Sequence, residues 1–165
     1  MPGITHLGDG GVIWIVLAMV LLCFRQYRKA GLTMGVALLI GLLVCNLWLK
    51  PWIGRLRPFD YQLQCYEKVI PLLIEAPTDC SFPSGHTIAA FEAATVLWFW
   101  HKKWGIAALL LATAIAFSRL YLYVHYPTDV LASILLGVAI AYLARHLINK
   151  GNTLLINDYH TKRRN

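Results

Sequence analysis

The chain has 165 residues, 58% hydrophobic and only 14% charged, with a formal net charge of +7. Soluble domains carry about 45–50% apolar and about 25% charged residues, so the composition excludes an ordinary soluble fold. The length fits a single membrane-embedded domain, residues 1–165, and the basic residues lie between apolar runs, which reads as membrane orientation and sets nucleic acid aside.

Five apolar segments follow one another: Gly8 to Phe24, Ala30 to Leu49, Ser84 to Trp100, Trp104 to Val124 and Thr128 to Ile148. Each approaches or exceeds the ~17–25 residues a helix needs to cross the hydrocarbon core. The expectation is an all-α polytopic membrane bundle of about five transmembrane helices. Met1 to Gly11 lacks a basic start and a small-residue cleavage site, so the first segment reads as a retained span. The one long connection, residues 50–83, offers Val69 to Ile74 as its candidate for a short interfacial helix.

Five crossings place the termini on opposite sides. One side carries Arg25, Arg28, Lys29, Lys102, Lys103 and a tail, residues 149–165, that includes Lys162, Arg163 and Arg164. Positive flanks mark the cytoplasmic side. The chain is therefore expected in the inner (plasma) membrane with its C-terminus cytoplasmic and the 50–83 loop in the periplasm or exterior. Cys23 and Cys45 read as packing residues. In the outward loop an oxidising compartment would allow a Cys65–Cys80 disulfide, although spacing alone leaves the bond open.

Three polar clusters fall on that outward face. The first is Lys50-Pro51-Trp52-Ile53-Gly54-Arg55-Leu56-Arg57-Pro58, where Lys50 and Arg57 are cations at head-group depth and Arg55 fits either a head-group or a snorkelling role. The second is Pro83-Ser84-Gly85-His86, at the start of the third span. There Ser84 suits an N-cap, Gly85 leaves the backbone open, and the free amides of the helix start suit an anion. The third is Ser118-Arg119-x5-His125-x3-Asp129. It offers a guanidinium fork, an imidazole able to act as a nucleophile, and a carboxylate able to orient that ring.

The spacing Lys50-x6-Arg57-Pro58, then Pro83-Ser84-Gly85-His86, then Ser118-Arg119-x5-His125-x3-Asp129 resembles the three-part signature of the type 2 phosphatidic acid phosphatase superfamily. Its membrane members are lipid phosphatases; its soluble vanadium haloperoxidases are disfavoured by five spans. The membrane members usually have six spans, so the customary first helix is expected to be absent. The resemblance implies His125 as nucleophile forming a phosphohistidine, Asp129 as its orienting carboxylate, and His86 as acid and base. It also implies Lys50, Arg57, Ser84, Gly85 and Arg119 as the phosphate cradle. No cofactor and no metal is implied, since no group of carboxylates stands ready for magnesium.

Undecaprenyl diphosphate is the favoured substrate, with phosphatidylglycerophosphate and phosphatidate as alternatives. The expected partners are that lipid phosphate and the bilayer, with a homodimer left open. A phosphorylated-lipid transporter or flippase is the alternative of a different class, although binding alone needs only the cations. Outside the clusters, Glu92 in the third span is either functional or a neutral acid bonded to a neighbouring helix. Asn46 suits an interhelical bond, and Tyr121, Tyr123 and Tyr126 suit interface anchors.

Overall fold

The computed structural model describes residues 2–162. Among them there is no strand. The elements are α1 (Pro2–His6), a 3₁₀ turn (Asp9–Gly11), α2 (Val12–Cys23), α3 (Arg28–Leu42), a π-helical stretch (Leu43–Leu49), α4 (Lys50–Ile53), α5 (Pro58–Tyr66), α6 (Gly85–Trp100), α7 (Lys102–Tyr121) and α8 (Pro127–Lys162). The tail is thus helical as far as Lys162, while Arg163 and Arg164 lie outside the described residues.

Four stretches are long and apolar enough to cross a membrane: Gly3–Cys23, Arg28–Tyr66, Lys102–Tyr121 and Pro127–Gly151. The remaining expected span is α6, at 16 residues shorter than the others. It forms the centre of the bundle, packed against α3, α7 and α8. Small side chains make that close packing feasible, as between membrane helices generally. Ala90, Ala93 and Ala94 of α6 are buried with Ala112 and Ala116 of α7 and Ala141 and Ala144 of α8. Outward, Leu47, Trp48, Leu110, Leu131 and Leu135 are exposed, as a lipid-facing surface requires.

One local expectation changes, and a pairing the sequence left open is not made. The helix in the long connection is α5, not Val69 to Ile74, which is non-helical. Pro58 has the fixed φ that suits a first turn, whereas Pro71 would lack a donor inside the other segment. Cys65 and Cys80 are free thiols. The π-helical stretch widens the end of the second span, a deformation often found beside functional sites.

Candidate active site

The third span starts, and the second and fourth end, at the same pole of the bundle. One cavity of about 740 Å³ opens among them. Lys50, Arg57, Asp79, Gly85, His86, Arg119 and His125 line its polar end. Along α2 and α3 the lining is apolar, with Ile15, Ala18, Met19, Leu22, Leu38, Leu39 and Leu42.

Arg57 is buried, and each of its three nitrogens has a protein partner. Its Nε donates to the backbone oxygen of Asp79 at 2.8 Å and Nη2 donates to Asp79 Oδ1 at 2.5 Å. Its Nη1 donates to the Val124 carbonyl at 2.7 Å and lies 3.3 Å from His125 Nε2. Lys50 pairs with the other Asp79 oxygen. Burial pushes the Asp79 carboxyl up, but the bonds from Lys50 and Arg57 outweigh it and hold the pKa at about 2. Arg119 is buried in the last turn of α7, donates to Thr5 Oγ1 at 2.5 Å, and keeps Nε without a partner.

His125 lies in the short link between α7 and α8. Burial lowers its pKa to about 4; the Asp129 contact works against this, while Arg57 and Arg119 add to it. Asp129, fully buried in the first turn of α8, stands 3.6 Å from His125 Nδ1 through Oδ2, longer than a hydrogen bond. The reason is competition for that oxygen, since Ser81 Oγ donates to it at 2.6 Å and the Tyr126 amide at 2.9 Å. Arg55 takes Oδ1 at 2.6 Å, bonds Thr128 at 2.8 Å and stacks on Tyr126 at 4.0 Å. It therefore braces Asp129 and does not line the cavity, a role outside the two the sequence offered, and gives Tyr126 a partner besides lipid.

Lys50, Arg57, Gly85, His86, Arg119 and His125 thus share one cavity, with Asp129 and Ser84 behind it. Ser84 holds the N-cap position of α6, but its hydroxyl makes no bond to the helix amides. It instead accepts from Thr87 Oγ1 at 3.0 Å, while the Ser84 amide donates to Ser133 at 2.8 Å. Glu92 is buried and lines the cavity with both oxygens unpartnered among the described residues, so the bond to a neighbouring helix, one of its two readings, is not formed there. A Cβ on Gly41 of α3 would stand 2.1 Å from Glu92 Oε1, which shows how closely the carboxyl lies against that helix. Asn46 lines the cavity and makes no side-chain hydrogen bond among the described residues. Asp9 and Asp79 went unmarked in the sequence, yet Asp9 Oδ1 lies 2.9 Å from His86 Nε2. The signal available for Asp9 was an acid at the edge of an apolar run.

A family model described as PAP2 superfamily matches residues 29–152. The undecaprenyl-diphosphatase of Sulfolobus acidocaldarius is 34% identical over 140 residues, covering 84% of this chain and 65% of that protein. The bacitracin transport permease protein BcrC of Bacillus licheniformis is 49% identical over 137 residues, covering 83% and 66%. Among solved structures, the transmembrane PAP2-type phosphatidylglycerolphosphate phosphatase of Bacillus subtilis aligns with TM-score 0.70 and 30% identity, over 91% of this chain and 75% of that one. LpxE of Aquifex aeolicus gives TM-score 0.72 at 28% identity, over 87% and 81%. The chain spans 65% and 66% of the length of the two curated relatives named here.

Proposed function

The chain belongs to the PAP2 superfamily, and on that footing we propose that it is a lipid phosphatase working without a metal ion. The observation that carries this reading is the two-ended cavity. At one end Lys50, Arg57 and Arg119 gather with the imidazoles of His86 and His125, and the cavity continues into an apolar trough along α2 and α3. A phosphate at the first and a hydrocarbon chain along the second describe an amphiphile with a terminal phosphate.

The chemistry follows from the atoms at the polar end. Phosphoryl transfer depends chiefly on positioning and charge stabilisation, which Lys50, Arg57, Arg119 and the Gly85 amide supply. The His125 lone pair attacks phosphorus, the bond to the leaving oxygen breaks, and His86 protonates that oxygen. Water then attacks the phosphohistidine while His86 takes its proton, the P–N bond breaks, and phosphate leaves. Asp129 steadies the His125 ring through charge at 3.6 Å, and Ser84 contributes from behind as part of the α6 start.

Undecaprenyl diphosphate is the favoured substrate, giving undecaprenyl phosphate, and the name of the Sulfolobus relative supports it. Phosphatidylglycerophosphate is the runner-up, on the strength of the Bacillus subtilis structure. The basic flanks support a site on the periplasmic or outer face and a C-terminus in the cytoplasm. A phosphorylated-lipid transporter or flippase is the competing class, and the Bacillus licheniformis relative is named for transport, of bacitracin. The test is phosphate release from a panel of lipid phosphates by purified protein in detergent, in chelator, with and without vanadate. Release that persists in chelator, stops with vanadate and is greatest on the isoprenoid diphosphate is expected. Binding without release would favour the transporter.

A further inference from the structure

The family match starts at residue 29, yet two side chains of the site are held by residues that precede it. Thr5, itself buried, accepts the Arg119 bond at 2.5 Å. Asp9 Oδ1 lies 2.9 Å from His86 Nε2, and its Oδ2 lies 2.7 Å from His6 Nδ1. Gly8 makes the approach feasible, because a Cβ there would stand 2.7 Å from His86 Cδ2. Three residues within five positions thus converge on a phosphate-facing guanidinium and on the acid–base imidazole.

We propose that Asp9 is the positioning residue for His86 and that the N-terminal turn is part of the active site. The proposal rests on the phosphatase reading above. A carboxylate only accepts hydrogen bonds, so the 2.9 Å contact puts a proton on Nε2. The Cδ2–Nε2 edge of the ring faces Gly8 and Asp9. The opposite edge carries Nδ1, which has no hydrogen-bond partner among the described residues. Nδ1 is therefore the atom that exchanges a proton with substrate.

In the first step the imidazolium gives its Nδ1 proton to the leaving oxygen as the P–O bond breaks, and His86 is left neutral, keeping its Nε2 proton in the hydrogen bond to Asp9. In the second step Nδ1 takes a proton from the attacking water as the P–N bond to His125 breaks. Asp9 stabilises the cationic form in both. The Asp9 side chain is 54% exposed, so solvent screens it. The expected contribution is about 10–100-fold, below the ~10⁴ of a buried triad aspartate.

The experiment compares wild type, Asp9→Asn, His86→Ala and the double variant on two substrates. One is undecaprenyl diphosphate, whose leaving oxygen must be protonated; the other is p-nitrophenyl phosphate, whose leaving group departs as the anion. Asp9→Asn should lower kcat on the lipid about 10–100-fold and leave KM within about twofold. First-turnover release of nitrophenolate should stay near the wild-type rate, and Asp9→Asn should change nothing further in the His86→Ala background. Nitrogen-15 chemical shifts of the His86 ring in wild type should show the proton on Nε2, a readout independent of whether any variant folds.

Wild-type lipid turnover by Asp9→Asn, equal loss on both substrates, additivity with His86→Ala, or an Nδ1-protonated ring would each overturn the assignment. A wild-type protein inert toward both substrates overturns the phosphatase reading beneath it, a result distinct from an active Asp9→Asn.

Discussion

Arg57 Nη1 lies 3.3 Å from His125 Nε2. A guanidinium donates and does not accept, so this contact leaves the Nε2 lone pair as the acceptor and puts the ring proton on Nδ1, facing Asp129. On the proposed mechanism the attacking nitrogen is therefore Nε2, the one beside Arg57. Replacing the ring should abolish the reaction. His125→Ala is expected to lower phosphate release by about 10⁴-fold or more, as loss of a nucleophile does elsewhere. Radiolabelled substrate mixed rapidly with wild type should leave an acid-labile phosphoenzyme, absent from the variant.

The depressed pKa of His125 gives the direction of its pH dependence. Its folded value, about 4, lies below the ordinary 6.5 because burial disfavours the charged ring. The stability contributed by the neutral ring is complete above pH 6.5 and is lost as pH falls through about 4. Melting temperature in detergent should hold near neutrality and fall over that window, and His125→Gln should blunt the fall. The acid limb of kcat/KM attributed to the nucleophile should lie near pH 4. A midpoint for that limb near 6.5 would mean a solvated ring.

Arg55 and Lys50 are both cations of the first polar cluster, but only Lys50 lines the cavity. Arg55→Ala removes the 2.6 Å bond to Asp129 Oδ1 and should lower kcat roughly tenfold with KM little changed. Lys50→Ala removes a phosphate ligand and should raise KM about tenfold or more. Steady-state kinetics on one lipid phosphate separates the two, and a KM rise in Arg55→Ala would place that side chain on the substrate instead.

Glu92 carries two buried oxygens without partners. Leaving such a group unsatisfied costs about 1–3 kcal/mol, so Glu92→Leu, of similar volume, should raise the melting temperature in detergent. A lowered melting temperature would mean that the carboxyl contributes binding energy through a group the protein itself provides.

The three polar clusters were legible because each is contiguous and sits at a span end, so the short link between α7 and α8 brings Arg119, His125 and Asp129 to one pole. What supports them was not. Thr5 meets Arg119 across 114 positions, Asp9 meets His86 across 77, and Asp79 meets Arg57 across 22. No periodicity encodes such pairings. Asp129 was legible as the neighbour of His125, but Ser81, 48 positions away, and the Tyr126 amide compete for the same oxygen, a convergence that arises only in the folded chain. Likewise the apolar pattern marked the central helix without giving its place inside a ring of longer ones.

That central helix has a further consequence. Sixteen residues of α6 rise about 24 Å, some 6 Å less than the ~30 Å oily layer. If the shortfall lies at its outward end, the proposed proton-handling ring at its first turn would form the floor of a shallow well below the ends of its longer neighbours. A phosphate anchored to a greasy chain can reach such a floor by drifting sideways at its own natural level. Little work is spent hauling it toward water, and detergents or bilayers of altered thickness should change turnover through the depth of that well.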